Sequence, residues 1–87
     1  MTARLWTRGE PIHVDCDGDG RPLRFAWQAK THIVDRICNR WRVSAEWWRA
    51  EPAAWREYIK LVTRDGLLCL VARDLDREGW WMIRLYD

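Results

Sequence analysis

Three carboxylates alternate along this chain, at Asp15, Asp17 and Asp19, and Gly20 follows them. Oxygen ligands at such a spacing can converge on a hard cation such as Ca²⁺. A helix–loop–helix calcium loop also needs a bidentate glutamate at its twelfth position, which here is Ala26. We therefore expect an acidic hairpin turn, in which the aspartates bond to their own backbone, and no bound metal.

Histidine and cysteine are the other metal-binding residue types in the chain. Structural zinc sites usually take ligands from close pairs, and the only such pair is His13 with Cys16. Three cysteines without C-x-x-C spacing indicate reduced thiols in a cytoplasmic protein. Cys69 lies in the most apolar run, residues 67–71, and is expected to be a buried, unreactive thiol. The remaining candidates are scattered: His32 and Cys38.

The sequence has no glycine-rich phosphate loop, no serine elbow and no paired carboxylates. We therefore predict a protein that is not an enzyme and needs no cofactor. It has no run of about 18 apolar residues and no signal-peptide core, so we expect a cytoplasmic protein without a membrane partner. Its 87 residues predict one domain, with residues 1–10 as a loosely ordered N-terminal segment.

Tryptophan is unusually frequent, with eight residues in 87. Two adjacent side chains cannot both face one core, which applies to Trp47 with Trp48 and to Trp80 with Trp81. Exposed indoles beside arginine are typical of interface anchors. This pattern predicts a protein-docking patch, although a loop at residues 43–54 that folds over a sheet edge would bury the first pair. The patch comprises Trp47, Trp48, Arg49, Trp80 and Arg84.

Positive charge is concentrated in residues 21–42, which hold six basic side chains against one acidic residue, Asp35. A basic sheet face can follow the phosphates of single-stranded nucleic acid while aromatic rings stack on its bases. The alternative function is therefore nucleic-acid binding by an arginine-rich hairpin face, opposite Phe25 and Ile33. That face comprises Arg24, Arg36, Arg40 and Arg42.

Alternation of apolar and polar residues dominates the chain and predicts β-strands. Residues 31–42 fit a helix as well as a strand, and the short break before them favours a strand. We expect an all-β fold: a single small antiparallel meander of five to six strands, barrel-like or a strongly bent sheet. The side chains expected to be buried are Phe25, Trp27, Ile37, Trp41, Tyr58, Leu68, Leu70 and Trp81.

Several separated aromatic and turn positions form an ordered pattern: Phe25, Trp27, Trp41, Trp47, Trp48, Arg56, Glu57, Tyr58, Asp65, Gly66, Arg73, Asp74 and the segment from Gly79 to Asp87. This pattern resembles a bacterial family with no assigned chemistry. Similar sequence forms the C-terminal part of ImuB-type proteins, the catalytically degenerate relatives of Y-family polymerases in the DNA-damage mutasome. The resemblance covers about residues 10–87 and departs from the pattern at Ala29, where glycine is expected, and at Ile59, where an aromatic residue is common. It implies a docking role in DNA-damage tolerance, with a polymerase or repair accessory protein as partner.

Overall fold

The computed structural model of the chain describes residues 3–44, 55–75 and 79–86, with side chains for 9–43, 56–75 and 79–86. All regular structure in these residues is β, which confirms the predicted all-β class and places 31–42 in a strand. No helix in these ranges is long and apolar enough to span a membrane. The six strands are β1 (Ala3–Cys16), β2 (Pro22–Trp27), β3 (Lys30–Ser44), β4 (Trp55–Thr63), β5 (Leu68–Asp74) and β6 (Trp80–Tyr86).

Each strand pairs antiparallel with the next, and β6 pairs back with β1, so the meander closes into a barrel. β2 is short and pairs only with the end of β1 and the start of β3. The two long strands continue past it and pair with β6 and β4 instead. We call the end with the turn at residues 17–20 the upper end, and the end with the turns at 28–29 and 64–66 the lower end.

The segment predicted to be loosely ordered, residues 1–10, enters β1 from Ala3 onward. Ala3 pairs with Tyr86 and Leu5 pairs with Arg84, so the first residues of β1 complete the β6 ladder. A free β6 edge would leave a row of backbone donors and acceptors unpaired. The start of β1 therefore belongs to the barrel wall.

The core lies inside the barrel, between the inward faces of the six strands. Phe25 and Trp27 are buried, as predicted. The other six predicted core residues are half-buried. For Tyr58, Leu68 and Leu70 the reason is that β4 and β5 turn the alternate residues inward. Among those six, Ile37 still packs against the core from one side. The buried core residues are Phe25, Trp27, Ile59, Leu61, Cys69, Val71, Met82 and Leu85.

Two irregularities in β3 decide where its side chains point. The β3–β4 register shifts between Val34 and Arg36 and again between Ile37 and Asn39. Each such bulge inserts one residue and reverses the inward–outward alternation. After the second shift, Trp41 pairs with the outward-facing Tyr58, and Arg42 pairs with Glu57.

Candidate functional site

One outer wall of the barrel carries aromatic, aliphatic and basic side chains side by side. It is formed by alternate residues of β4, β5 and β6, with Trp41 of β3 at its edge. Its side chains are half-buried, apart from the fully covered Ala72. We call it the aromatic-basic face, and it comprises Trp41, Arg56, Tyr58, Lys60, Val62, Leu68, Leu70, Ala72, Trp81, Arg84 and Tyr86.

The aromatic rings of this face lie in two groups. Trp41 and Tyr58 stack with centroids 5.7 Å apart and planes 14° from parallel. Ala72 pairs with both Tyr58 and Trp81, so these residues continue the row across the sheet. Tyr86 lies lower on the same wall, where it pairs with Leu68. Val62, Leu68 and Leu70 therefore form an aliphatic strip below the upper aromatic row and beside Tyr86.

Basic side chains of the face lie over its rings. The Arg56 guanidinium is 5.1 Å from the Trp81 ring centre, and the Lys60 ammonium is 5.0 Å from that of Tyr86. Arg84 approaches the same Tyr86 ring at 5.6 Å. Burial acts against the charge of Arg56, but its hydrogen bond to Asp74 raises its pKa above the usual value. Asp74 lies on the same side as Arg56 and offsets its charge, so the positive charge of the wall comes from Lys60 and Arg84.

The two described members of the predicted docking patch lie on opposite sides of β6. Trp80 pairs with Arg73 on the inward side of β6 and packs against the core, whereas Arg84 pairs with Leu70 on the outer side. The other three members, Trp47, Trp48 and Arg49, lie outside the described residues. A bulge at the β5–β6 register shift between Leu70 and Val71 separates the two halves of β6.

A buried carboxylate sits near the upper end of the barrel and draws three arginines together. Glu57 has only 3% of its side chain exposed. Its Oε1 accepts hydrogen bonds from Arg40 Nη2 at 3.2 Å and from Arg73 Nε at 3.0 Å. Its Oε2 accepts one from Arg42 Nε at 3.2 Å. We call Glu57 with these three arginines the mouth cluster.

The mouth cluster keeps Glu57 ionised. Burial alone would raise the pKa of this carboxyl group. The hydrogen bonds from Arg40 and Arg42 and the charge of Arg73 act in the opposite direction, and the net effect is a pKa below the usual value. A buried charge is tolerated when it is paired and hydrogen-bonded, as it is here.

The predicted nucleic-acid quartet is divided between different parts of the barrel. Arg24 pairs with the exposed Ile33 on the outer wall, and its Nε binds Asp15 at 2.8 Å. The expectation that Ile33 lies opposite Arg24 is therefore wrong, because His32 takes the inward position next to Phe25. Arg40 and Arg42 belong to the mouth cluster, and Arg36 faces outward beside Val62. The β3 bulges produce this separation.

A second polar cluster lies at the lower end. The buried His32 places Nδ1 2.9 Å from Asp65 Oδ2, and Lys30 Nζ lies 3.2 Å from the same oxygen. Thr63 donates its hydroxyl to the other Asp65 oxygen, and the Arg64 backbone N–H donates to the Ile33 carbonyl. These bonds fasten the β4–β5 turn to the start of β3. We call His32, Asp65, Lys30 and Thr63 the turn cluster.

The acidic segment forms a turn of the kind expected. Asp17 Oδ1 accepts the backbone N–H groups of Asp19 and Arg21, each at 2.9 Å. These bonds lower the pKa of Asp17, first through Arg21. Among the residues that the structure describes, no three His, Cys, Asp or Glu side chains lie close enough to hold a metal ion. Cys69 is buried, as predicted, while Cys16 and Cys38 are exposed.

Neither polar cluster was predicted from the sequence. Glu57 alternates with Ile59 and Leu61, which marks it as an inward residue once those two are assigned to the core. Arg73 stands in the same relation to Val71 on β5. His32 and Asp65 are far apart in the chain, and only the pairing of β3 with β4 brings them together.

Comparison of the chain with protein families, with curated proteins and with solved structures finds no match.

Proposed function

We propose that this protein is a non-catalytic docking module that binds an acidic, partly apolar segment of another protein on its aromatic-basic face. The observation that carries the proposal is the composition of that face: four aromatic residues and an aliphatic strip among Arg56, Lys60 and Arg84. Tryptophan, tyrosine and arginine are the residue types that most often dominate binding energy at protein interfaces. Basic side chains around them favour an acidic partner.

The aliphatic strip favours a protein over a nucleic acid as the partner. Val62, Leu68 and Leu70 lie below the upper aromatic row and offer no ring on which a base could stack. They can instead receive the apolar side chains of a peptide. The resemblance to ImuB-type proteins agrees with a docking role, and a link to DNA-damage tolerance remains a prediction based on that resemblance.

Selection from a displayed peptide library tests the proposal. We expect enrichment of peptides that combine aspartate or glutamate with large apolar residues. The double variant Lys60→Glu with Arg84→Glu should lower the affinity for an enriched peptide about tenfold or more, because it reverses two charges on the face. The matched control is Arg21→Glu with Arg24→Glu, which makes the same charge change away from the face and should leave affinity unchanged.

Two outcomes would overturn the proposal. One is enrichment of peptides whose binding responds equally to both double variants. The other is steep, salt-dependent binding of oligothymidylate that is lost in the Lys60 and Arg84 variant, which would assign the face to single-stranded nucleic acid.

A further inference from the structure

We propose that the mouth cluster is a binding site for an oxyanion, a phosphate monoester or a carboxylate, carried on a small apolar group. The site lies on the inward side of the barrel near its upper end, whereas the aromatic-basic face lies on an outer wall. The inference is therefore independent of the docking function.

Among the described residues, positive charge is in excess at the cluster. Three guanidinium groups meet one carboxylate, Glu57, which leaves a net charge of +2 for these four side chains. Two other carboxylates lie nearby: Asp17, which holds its own turn and partly offsets the charge of Arg40, and Asp74, which binds Arg56 at 2.8 Å. An anion that enters the cluster would therefore meet an excess of positive charge in a partly desolvated place, where electrostatic attraction is stronger than in bulk water.

The arginines keep donors for a second anion. Arg42 has 59% of its side chain exposed and binds Glu57 through Nε, so its two terminal amino groups are directed elsewhere. Arg40 is 31% exposed and binds Glu57 through Nη2 alone. A guanidinium group carries five N–H donors in a planar fork that matches phosphate and carboxylate oxygens. Glu57 thus orients the arginines without saturating them.

A cavity adjoins the cluster through Arg73. It has a volume of about 500 Å³, and its wall combines apolar with polar residues. The lining residues are Ile12, His13, Val14, Arg73, Asp74, Gly79 and Trp80, of which Asp74 is already paired with Arg56. The Arg73 guanidinium lies 5.3 Å from the centre of the Trp80 ring, within the range of a cation–π contact. Its amino groups also approach Gly20, where an added Cβ would lie 3.1 Å from Nη1. Few well-placed polar groups beside apolar walls are typical of small-ligand sites.

Titration with matched small probes tests the site. Phenyl phosphate and benzoate share one ring and differ in their oxyanion, and phenol is the neutral control. In ¹⁵N spectra we expect both anions to shift the Trp80 indole signal, identified by its loss in Trp80→Phe, and the arginine Nε signals. The tighter of the two anions identifies which oxyanion the site prefers. Arg42→Gln should lower the affinity for both anions about tenfold, because it removes one charge-assisted contact.

The control variant is Arg24→Gln, which removes an arginine that pairs with Asp15 on another wall. It should bind both anions as the unmodified protein does, as should the Lys60→Glu with Arg84→Glu variant of the aromatic-basic face. A well-dispersed NMR spectrum shows that the Arg42→Gln variant is folded. If that variant does not fold, the Arg40→Gln variant is used in its place. The proposal is overturned if neither anion shifts these signals, if phenol binds as well, or if the control weakens binding equally.

Discussion

Glu57 is the side chain on which the upper end of the barrel depends most. Replacement by glutamine keeps its size but leaves the partly buried Arg40 and Arg73 without a counter-charge. Breaking a buried ion pair from one side costs about 3–5 kcal/mol, so Glu57→Gln should lower the free energy of unfolding by about 3 kcal/mol. Urea denaturation at neutral pH measures the change.

Asp15→Asn is the control for that experiment, because Asp15 makes an exposed ion pair with Arg24. Exposed pairs contribute little to stability, and this variant should unfold like the unmodified protein. Equal destabilisation by both substitutions would show that the mouth cluster has no special role in stability.

The three thiols should differ in reactivity. Cys69 is fully buried, and burial raises its pKa to about 12. Cys16 and Cys38 are exposed, although partial burial raises the pKa of Cys16 as well. The folded protein should therefore react with a thiol reagent at two cysteines, and the third should react only after a denaturant has unfolded the protein. Reaction of Cys69 at the rate of Cys38 in the folded protein would contradict its burial.

Single residues show where sequence-based prediction succeeded and where it failed. Phe25 and Trp27 were assigned to the core correctly, because β2 alternates large apolar residues with Arg24 and Ala26. On β4, Tyr58 competes with Ile59 and Leu61 for the inward side, and the larger ring faces outward. Both sides of that strand are rich in apolar residues, so composition alone could not decide between them.

At the scale of elements, the β2–β3 turn carries backbone strain. Gln28 and Ala29 have φ angles of 51° and 60°, although neither is glycine. The left-handed region costs an ordinary L-residue roughly 1–2 kcal/mol. Ala29→Gly should therefore stabilise the protein by about 1 kcal/mol, after allowance for the greater freedom of glycine in the unfolded chain.

Thermal unfolding measures the effect of Ala29→Gly, with Ala26→Gly as the control. Ala26 is an exposed residue within β2, where glycine weakens a strand. The two substitutions should change the melting temperature in opposite directions. A lower melting temperature for both would mean that the turn at residues 28–29 is not strained in solution.

The turn cluster makes part of the stability depend on pH. The hydrogen bond from Thr63, followed by those from Lys30 and His32, holds the pKa of Asp65 well below its usual value of 3.8. The unfolded chain therefore takes up a proton on Asp65 at a higher pH than the folded chain. The contribution of Asp65 is present above about pH 4 and is lost as the pH falls below it.

Asp65→Asn isolates this contribution from that of the other acidic residues. The difference in unfolding free energy between the unmodified protein and the variant should be constant near neutral pH and shrink as the pH falls below about 4. Urea denaturation over that range provides the measurement. A difference that stays unchanged in acid would show that these hydrogen bonds do not lower the pKa of Asp65.

Elements were easier to predict than the direction of their side chains. The turns at residues 17–20 and 64–66 and the strands that flank them follow from glycine, aspartate and alternation. The two bulges in β3 have no such signal, because a bulge depends on the register with β4. They turn Arg36 outward and Arg42 inward, which is why a single arginine face did not form.

At the scale of the whole molecule, closure of the barrel depends on a close contact between β1 and β6. Gly9 has a φ of +84°, and a Cβ at this position would lie 2.5 Å from the Trp81 Cβ. Gly9→Ala should therefore destabilise the fold by several kcal/mol, about 1–2 of them from the backbone conformation alone. Gly18→Ala is the control, since open space surrounds Gly18. Equal melting temperatures for the two variants would contradict the close contact.

Ala3 and Tyr86 are paired partners at the lower end of the barrel. A domain whose first strand begins beside the end of its last strand can be inserted into a loop of a host protein with little disturbance, as a cassette on a short stem. A surface tether or fluorescent fusion joined next to Ala3 or Tyr86 would likewise leave from the lower end. The mouth cluster, near the opposite end, would then point away from the attachment and stay accessible to solution.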